Sequence, residues 1–214
     1  MSEQSARRYT LRPLEKSDLS HVARWFLDLH DLAAFDRSSR APRCSEATEK
    51  DWAPVFDTSE DQNKHWFAVE SEKEDVVGMV GMQDVNPVNR DAVVALFVDH
   101  SVRRHGVGIR ATALLLDLAF RQFGLNRITS YFREDNTRSA DLMSRLGVKI
   151  EGRMRQAWFA EGQFFDMVVV GLLNDEWEKH REKLMTELQP DPVVSFGGFV
   201  ANGWTWPPNV SNEA

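Results

Sequence analysis

The 214-residue chain predicts a single α/β domain of the α+β kind, with a mixed sheet of about seven strands flanked by helices. Three observations carry that prediction. Short segments joined by polar turns fill the first hundred residues and read as a largely antiparallel meander. Ala92 to Val98 (AVVALFV) is a continuous apolar run, the pattern of a strand covered on both faces. After it the order becomes strand, helix, strand, helix, strand, strand, and a strand–helix–strand crossover forms a right-handed parallel unit.

Taken in order, Tyr9 to Leu14 alternates and starts the sheet. Ser17-Asp18 offers an N-cap, and Leu19, Val22, Ala23, Phe26 and Leu29 follow at helical spacing. Ala33 to Asn63, broken by Pro42 and Pro54, reads as loop with one or two short helices. His65–Val69 and Val76–Met82 read as paired strands around the polar turn Ser71–Asp75, with a further turn at Asn86–Asn89. Ile109, Ala113, Leu116, Phe120 and Phe123 mark a helix that Gly124 stops. Arg127–Phe132 is a strand, and Asp135-Asn136 offers an N-cap to a short helix carrying Ala140, Met143 and Leu146. Strands follow near Val148–Phe159 and Asp166–Leu173, then a charged amphipathic helix from Asp175 to Leu188. Residues 1–188 form the domain in this reading, and 189–214 a C-terminal extension.

Hydrophobic residues at 42% and charged residues at 28% describe an ordinary globular chain, long enough to fold without a disulfide or a metal. The lone cysteine, Cys44, forbids an intramolecular disulfide, and with the composition it predicts a cytoplasmic location. The net charge of −7, from 33 acidic and 26 basic residues, argues against nucleic acid as a partner. The apolar runs are too short to span a bilayer, and Met1–Arg8 has no apolar signal core, so no membrane is expected either.

The most informative segment joins the apolar strand to the long helix: Val98-Asp99-His100-Ser101-Val102-Arg103-Arg104-His105-Gly106-Val107-Gly108-Ile109. Gly106 and Gly108 let backbone amides approach a ligand closely, and the free N–H groups of a first helical turn favour an anion. Arg103 and Arg104 add positive charge beside that spot. The set suits a pyrophosphate; the alternative is a tight strand-to-helix turn with solvated arginines. A Walker loop is excluded because the Gly-Lys-Ser/Thr ending is missing. A dinucleotide fold is excluded by the glycine spacing and the lack of an acidic residue about 20 positions on.

Arg103-Arg104-His105-Gly106-Val107-Gly108 resembles the R/Q-x-x-G-x-G/A motif of the GNAT (GCN-related) N-acetyltransferase superfamily. The preceding strand, the block from Asn136-Thr137-Arg138-Ser139 to Leu146-Gly147 with Glu151-Gly152-Arg153, and the opening Leu11-Arg12-Pro13-Leu14-Glu15 also resemble it. The likeness is greatest to the branch holding the RimJ/RimL ribosomal-protein and spermidine N-acetyltransferases. It implies a sheet splayed at its fourth and fifth strands, with acetyl-CoA in the cleft as co-substrate and a primary amine as acceptor. It further implies that the amides of Arg104 to Gly108, with Arg103, His105, Val107 and Ile109 around them, hold the pyrophosphate. Leu96, Phe97 and Val98 would pair with the pantetheine arm, and Asn136 and Ser139 would lie near the thioester. Met143 stands where many relatives carry a tyrosine acid, which leaves Ser139 as the nearest hydroxyl; as a first-turn residue, Ser139 is equally a capping residue. Asp99 and Asp84 are the candidate bases, with His100 or water as alternatives. A homodimer is admitted by the resemblance.

Other features have plainer readings. Cys44 is an inert loop thiol, and the six histidines show no metal-ligand spacing. Nine acidic and four basic residues between Asp28 and Asp61 predict either attraction of a cationic amine or a solvated face. Trp25, Trp52, Trp66 and Trp158 are candidates for an acceptor pocket or for core. The extension carries Phe196, Phe199, Trp204 and Trp206, which are expected to pack on the domain or on a neighbouring subunit.

Overall fold

Strands β1 (Arg8–Pro13), β2 (His65–Ser71), β3 (Val76–Asn86) and β4 (Asp91–Val98) form an antiparallel meander in the computed structural model, which describes residues 7–39, 41–56, 63–197 and 203–208. Side-chain alternation along it divides the core. Val80, Met82, Ala92 and Val94 face one side; Met79 and Phe97 face the other.

The second side is covered by α1 (Leu19–Trp25), α2 (Leu29–Phe35) and α3 (Ser45–Trp52). The single helix expected through Leu29 is broken, because the Asp28 carboxylate accepts from the N–H groups of His30 and Asp31 at 2.8 and 3.1 Å and starts a new helix. The first side is covered by α4 (Val107–Asp117) and α6 (Asn174–Glu187). A π-helical turn, Leu118–Gln122, continues α4, and Gly124 at φ +64° ends the run.

Strand β5 (Arg127–Arg133) pairs parallel with β4 only at Asp91–Val93 against Arg127–Thr129. Above that point the Ser130 hydroxyl donates to the Val94 carbonyl at 3.0 Å, and the two strands then separate. The predicted splay is therefore present, with Ala95–Val98 open toward β5. Beyond β5 lie β7 (Gln163–Leu173) and β6 (Lys149–Ala160), both antiparallel to their neighbours, and α5 (Thr137–Arg145) connects β5 to β6.

Among the described residues the sheet has nine strands, not about seven. The additional two are β8 (Val193–Phe196), parallel to β1, and β9 (Thr205–Trp206), antiparallel to β8. At four and two residues, and bounded by Pro192, Gly197, Gly203 and Pro207, they are too short to leave an alternating pattern. Trp206 is fully buried, and its indole N–H donates to Asp117 at 3.0 Å. Asp117, buried in α4, also accepts from Trp177 at 3.0 Å and from Arg181 at 2.8 Å. Phe196 and Trp204 pack against the same core, whereas Phe199 lies outside the described residues. So do Met1–Ala6, Arg40, Asp57, Glu60 and Asp61, on which parts of the leader and acidic-loop readings fall.

Candidate active site

The separation of β4 and β5 opens a cleft of about 1860 Å³. One wall is made by Leu96 and Val98 of β4, Gly106, Gly108 and Ile109 at the start of α4, and Asn136 and Ser139 at the start of α5. The other carries Phe26, Phe35, Trp52, Trp66 and Phe97, with Asp31 and Trp158 beside them. The first is a wall of helix starts and the second a wall of rings, so the cleft has two chemically distinct halves.

The helix-start half follows from local geometry. Arg104 (φ +68°) and Gly106 (φ +78°) both take left-handed backbone, which turns the chain sharply before Val107 opens α4. At Gly108 a Cβ would lie 3.3 Å from Val98 Cγ2 and 3.6 Å from Leu96 Cδ2, so the absence of a side chain lets the helix start sit close over β4. The N–H groups of that first turn have no intrahelical acceptor and carry the positive end of the helix dipole. Asn136 caps α5 in the same half, its Oδ1 accepting from the Ser139 N–H at 3.1 Å. Ser139 is thus a capping partner through its backbone, while its residue lines the cleft.

Several expected site residues stand elsewhere. Arg103 turns away from the phosphate position: its Nε donates to the Val98 carbonyl at 2.8 Å and its Nη2 to Asp31 at 2.7 Å, and it lies 5.3 Å above the Phe97 ring. A buried carboxylate and an aromatic face attract the guanidinium more than open solvent does. Phe97 itself faces the aromatic half, because alternation along β4 sends it opposite to Leu96 and Val98. His105 is exposed and Val107 is core, and neither lines the cleft. Asp84 is exposed at an irregular point of β3, with φ +54°, and does not line the cleft. Asp99 also stays out of the lining; its carboxylate accepts from the Ser101 N–H at 2.8 Å and hydroxyl at 2.7 Å. Burial alone would raise its pKa, but those Ser101 bonds hold it below the usual carboxylate value. Met143 lines the cleft, yet most of it packs with Phe132, Val168 and Val170.

Several described carboxylates of the acidic segment are already engaged. Asp28 caps α2, Asp31 is paired with Arg103 and His100, and Asp51 is 3.2 Å from Arg43. Asp28, Asp31 and His100 bring ligand-type atoms within 4.8 Å of one another, but the α2 N–H groups and Arg103 already engage both carboxylates. Cys44 is exposed at the N-cap position of α3.

Among the cleft residues that the sequence does not mark as site residues are Asp31, Tyr131, Phe26 and Phe35. Tyr131 is 37% exposed on the part of β5 that has left β4, and the alternation of Ser130 and Phe132 inward could have shown it facing the opening. Trp158 donates its indole N–H to the Ala33 carbonyl at 2.8 Å, tying β6 to α2 across the aromatic half.

A splayed mixed sheet with helix N-termini on one lip of the gap and an aromatic pocket on the other defines an acyl-CoA-type transferase cleft. Residues 8–149 match the Acetyltransferase (GNAT) domain family, and the chain belongs to it. It is similar to the spermidine N(1)-acetyltransferase of Escherichia coli K12, with 25% identity over 192 residues, 87% of this chain and 97% of that protein. It is also 27% identical over 107 residues to the [ribosomal protein uS5]-alanine N-acetyltransferase of E. coli K12, covering 48% of this chain and 55% of that one. In structure it resembles the spermidine N-acetyltransferase of Vibrio cholerae in complex with CoA and spermine, with TM-score 0.72 and 19% identity over 79% of this chain and 98% of that one. No helix among the described residues is long and apolar enough to cross a membrane.

Proposed function

We propose that this N-acetyltransferase moves the acetyl group of acetyl-CoA onto a primary amine in one ternary complex, with the thioester at the β4–β5 gap. The observation that carries the reading is the position of the α4 N-terminus over the open edge of β4, made possible by Gly106 and Gly108. The free amides between Arg104 and Gly108, that of His105 being bonded to the Val102 carbonyl, hold the pyrophosphate, and the edge of β4 that β5 leaves open, apart from the Val98 carbonyl taken by Arg103, binds the pantetheine arm as an added strand would.

The neutral amine attacks the thioester carbon; a C–N bond forms while the carbonyl π pair moves onto oxygen, where a backbone N–H near Val98 stabilises it. The C–S bond then breaks, the electron pair leaves with sulfur, and the thiolate takes a proton. Ser139, one of the cleft hydroxyls with Thr137 and Tyr131, can relay it and regain its own proton from solvent water. A thiol of pKa near 8.5 is also a tolerable leaving group unaided. Asp99 and Asp84 both stand away from the cleft lining, which leaves a weak base, His100 in the lining or water, to take the proton of the amine. That favours an amine with a low pKa: an α-amine near 7.7–8.0 is roughly a tenth to a fifth neutral at pH 7, against less than about one part in a thousand for an alkyl ammonium near 10.4. The aromatic half offers ring faces to the rest of a cationic acceptor.

The relatives span both acceptor types, a polyamine and a protein α-amine. Release of free thiol from acetyl-CoA, measured against peptides and polyamines in parallel, tests the proposal. Turnover with peptide α-amines at pH 7 is the expected result. A second reading, a CoA-binding module without turnover, rests on Met143 at the acid position; tight CoA binding with no thiol release across the panel favours it.

A further inference from the structure

The C-terminal segment reaches the glycine loop through one side chain. Arg110 lies one turn into α4 and is 3% exposed. Its Nη1 donates to the Gly106 carbonyl at 3.1 Å, and its Nη2 donates to the carbonyls of Asp191 at 3.2 Å and of Gln189. Its Nε is buried without a hydrogen-bond partner among the described residues. The carboxylate of the same Asp191 is bonded instead to the Arg7 backbone N–H at 2.7 Å and guanidinium at 2.9 Å. Arg110 is therefore a buried cation that donates to neutral carbonyls directly under the proposed pyrophosphate position.

We propose that Arg110, braced by residues 189–192, is a positioning residue for the pyrophosphate of CoA, which makes the C-terminal extension a working part of the cofactor site. This rests on the reading of the glycine loop given above. Two physical consequences follow from the geometry. A trans peptide points its N–H opposite to its carbonyl, so holding the Gly106 carbonyl down on Arg110 turns the Val107 N–H away from it, toward the side where the anion binds. The guanidinium also contributes a positive charge through a short path of low dielectric, where it acts more strongly than an exposed arginine. Burial, the largest influence on it, lowers the Arg110 pKa to about 10, which leaves it charged at neutral pH and leaves that charge only partly compensated until an anion arrives. Gly106 fits the same arrangement, since a Cβ there would collide with the Arg110 guanidinium.

The test compares CoA, which carries the pyrophosphate, with pantetheine, which does not, by calorimetric dissociation constants on the full chain. Arg110→Met is expected to weaken CoA roughly tenfold or more, the size of one charge-assisted hydrogen bond, and to leave pantetheine within twofold. Asp191→Ala frees the brace from Arg7 while keeping the backbone carbonyl that Arg110 bonds, and should give a smaller loss confined to CoA; it serves if Arg110→Met does not fold. Arg110→Lys, which keeps the charge, should recover part of the CoA affinity. Equal losses for both ligands, or unchanged CoA affinity in both Arg110→Met and Asp191→Ala, would overturn the proposal. Failure of the underlying reading looks different: the wild-type chain would then bind CoA no more tightly than pantetheine.

Discussion

Removing the Arg103 side chain should loosen the acceptor half of the cleft while leaving the glycine loop able to bind its anion. The guanidinium joins the buried Asp31 of α2 to the end of β4 through bonds of 2.7 and 2.8 Å, and their side chains are 17% and 7% exposed. Exposed ion pairs contribute about 0–1 kcal/mol, and breaking a fully buried one costs about 3–5 kcal/mol. This pair lies between those limits. His100, 2.8 Å from the same carboxylate, offers a partial substitute. Arg103→Ala is therefore expected to cost about 2 kcal/mol, which lowers the Tm of a chain of this length by roughly 4–8 °C. A double-mutant cycle with Asp31→Asn, followed by urea unfolding, should return a coupling energy of about 1 kcal/mol or more. In turnover assays the KM for the amine should rise while the dissociation constant for CoA stays within about twofold, because α2 carries part of the aromatic wall. A coupling energy below about 0.3 kcal/mol, or a defect confined to CoA, would refute the placement of Arg103 and return it to the phosphate.

Asp117→Ala leaves two buried indole N–H groups and Arg181 without their acceptor, so it should destabilise the protein by about 3–5 kcal/mol in urea melts and detach the Trp206 segment. Asp18 is held below the usual aspartate pKa: burial alone would raise it, and the bonds from Arg12 and the Glu15 N–H outweigh that. A depressed folded value means its contribution is present above the ordinary pKa near 3.9 and disappears as pH falls through the folded one. Asp18→Asn should thus be about 2 kcal/mol less stable than the parent at pH 7, with the gap closing below about pH 4 in melts across pH. Ser139→Ala separates the two roles of that residue: its backbone cap to Asn136 persists, so Tm should hold within about 2 °C while kcat falls by roughly tenfold.

Legibility in the sequence followed the strength of local signals. The apolar run of β4, the Gly106-Val107-Gly108 turn and the Asn136 cap each combine special residues with a change of period, and all three are where the sequence placed them. The Asp28 break between α1 and α2 was hidden because Phe26 and Leu29 continue the helical spacing across it. Strand β8 is set by pairing with β1 across nearly the whole chain and β9 by pairing with β8, and two to four residues carry no period of their own. In the site, backbone positions were readable and side-chain directions were not. Arg103 looked like a phosphate ligand because its partner, Asp31, lies 72 positions away and was counted only as part of an acidic run. Asp84 and Asp99 stand near strand ends in the sequence, a position that does not say which way a carboxylate turns.

The central claim is that the helix start behind Gly106 and Gly108 holds the pyrophosphate of acetyl-CoA, and it is tested most directly by calorimetric titration of acetyl-CoA into the wild-type chain and a Gly108→Phe variant. At Gly108 even a Cβ would stand 3.3 Å from Val98 Cγ2, so a phenyl group must enter the cleft between α4 and β4. Saturable one-site binding to the wild type, and no measurable heat with a variant whose circular dichroism is unchanged, is the predicted result. A folded Gly108→Phe protein that binds acetyl-CoA as tightly as the parent would contradict it.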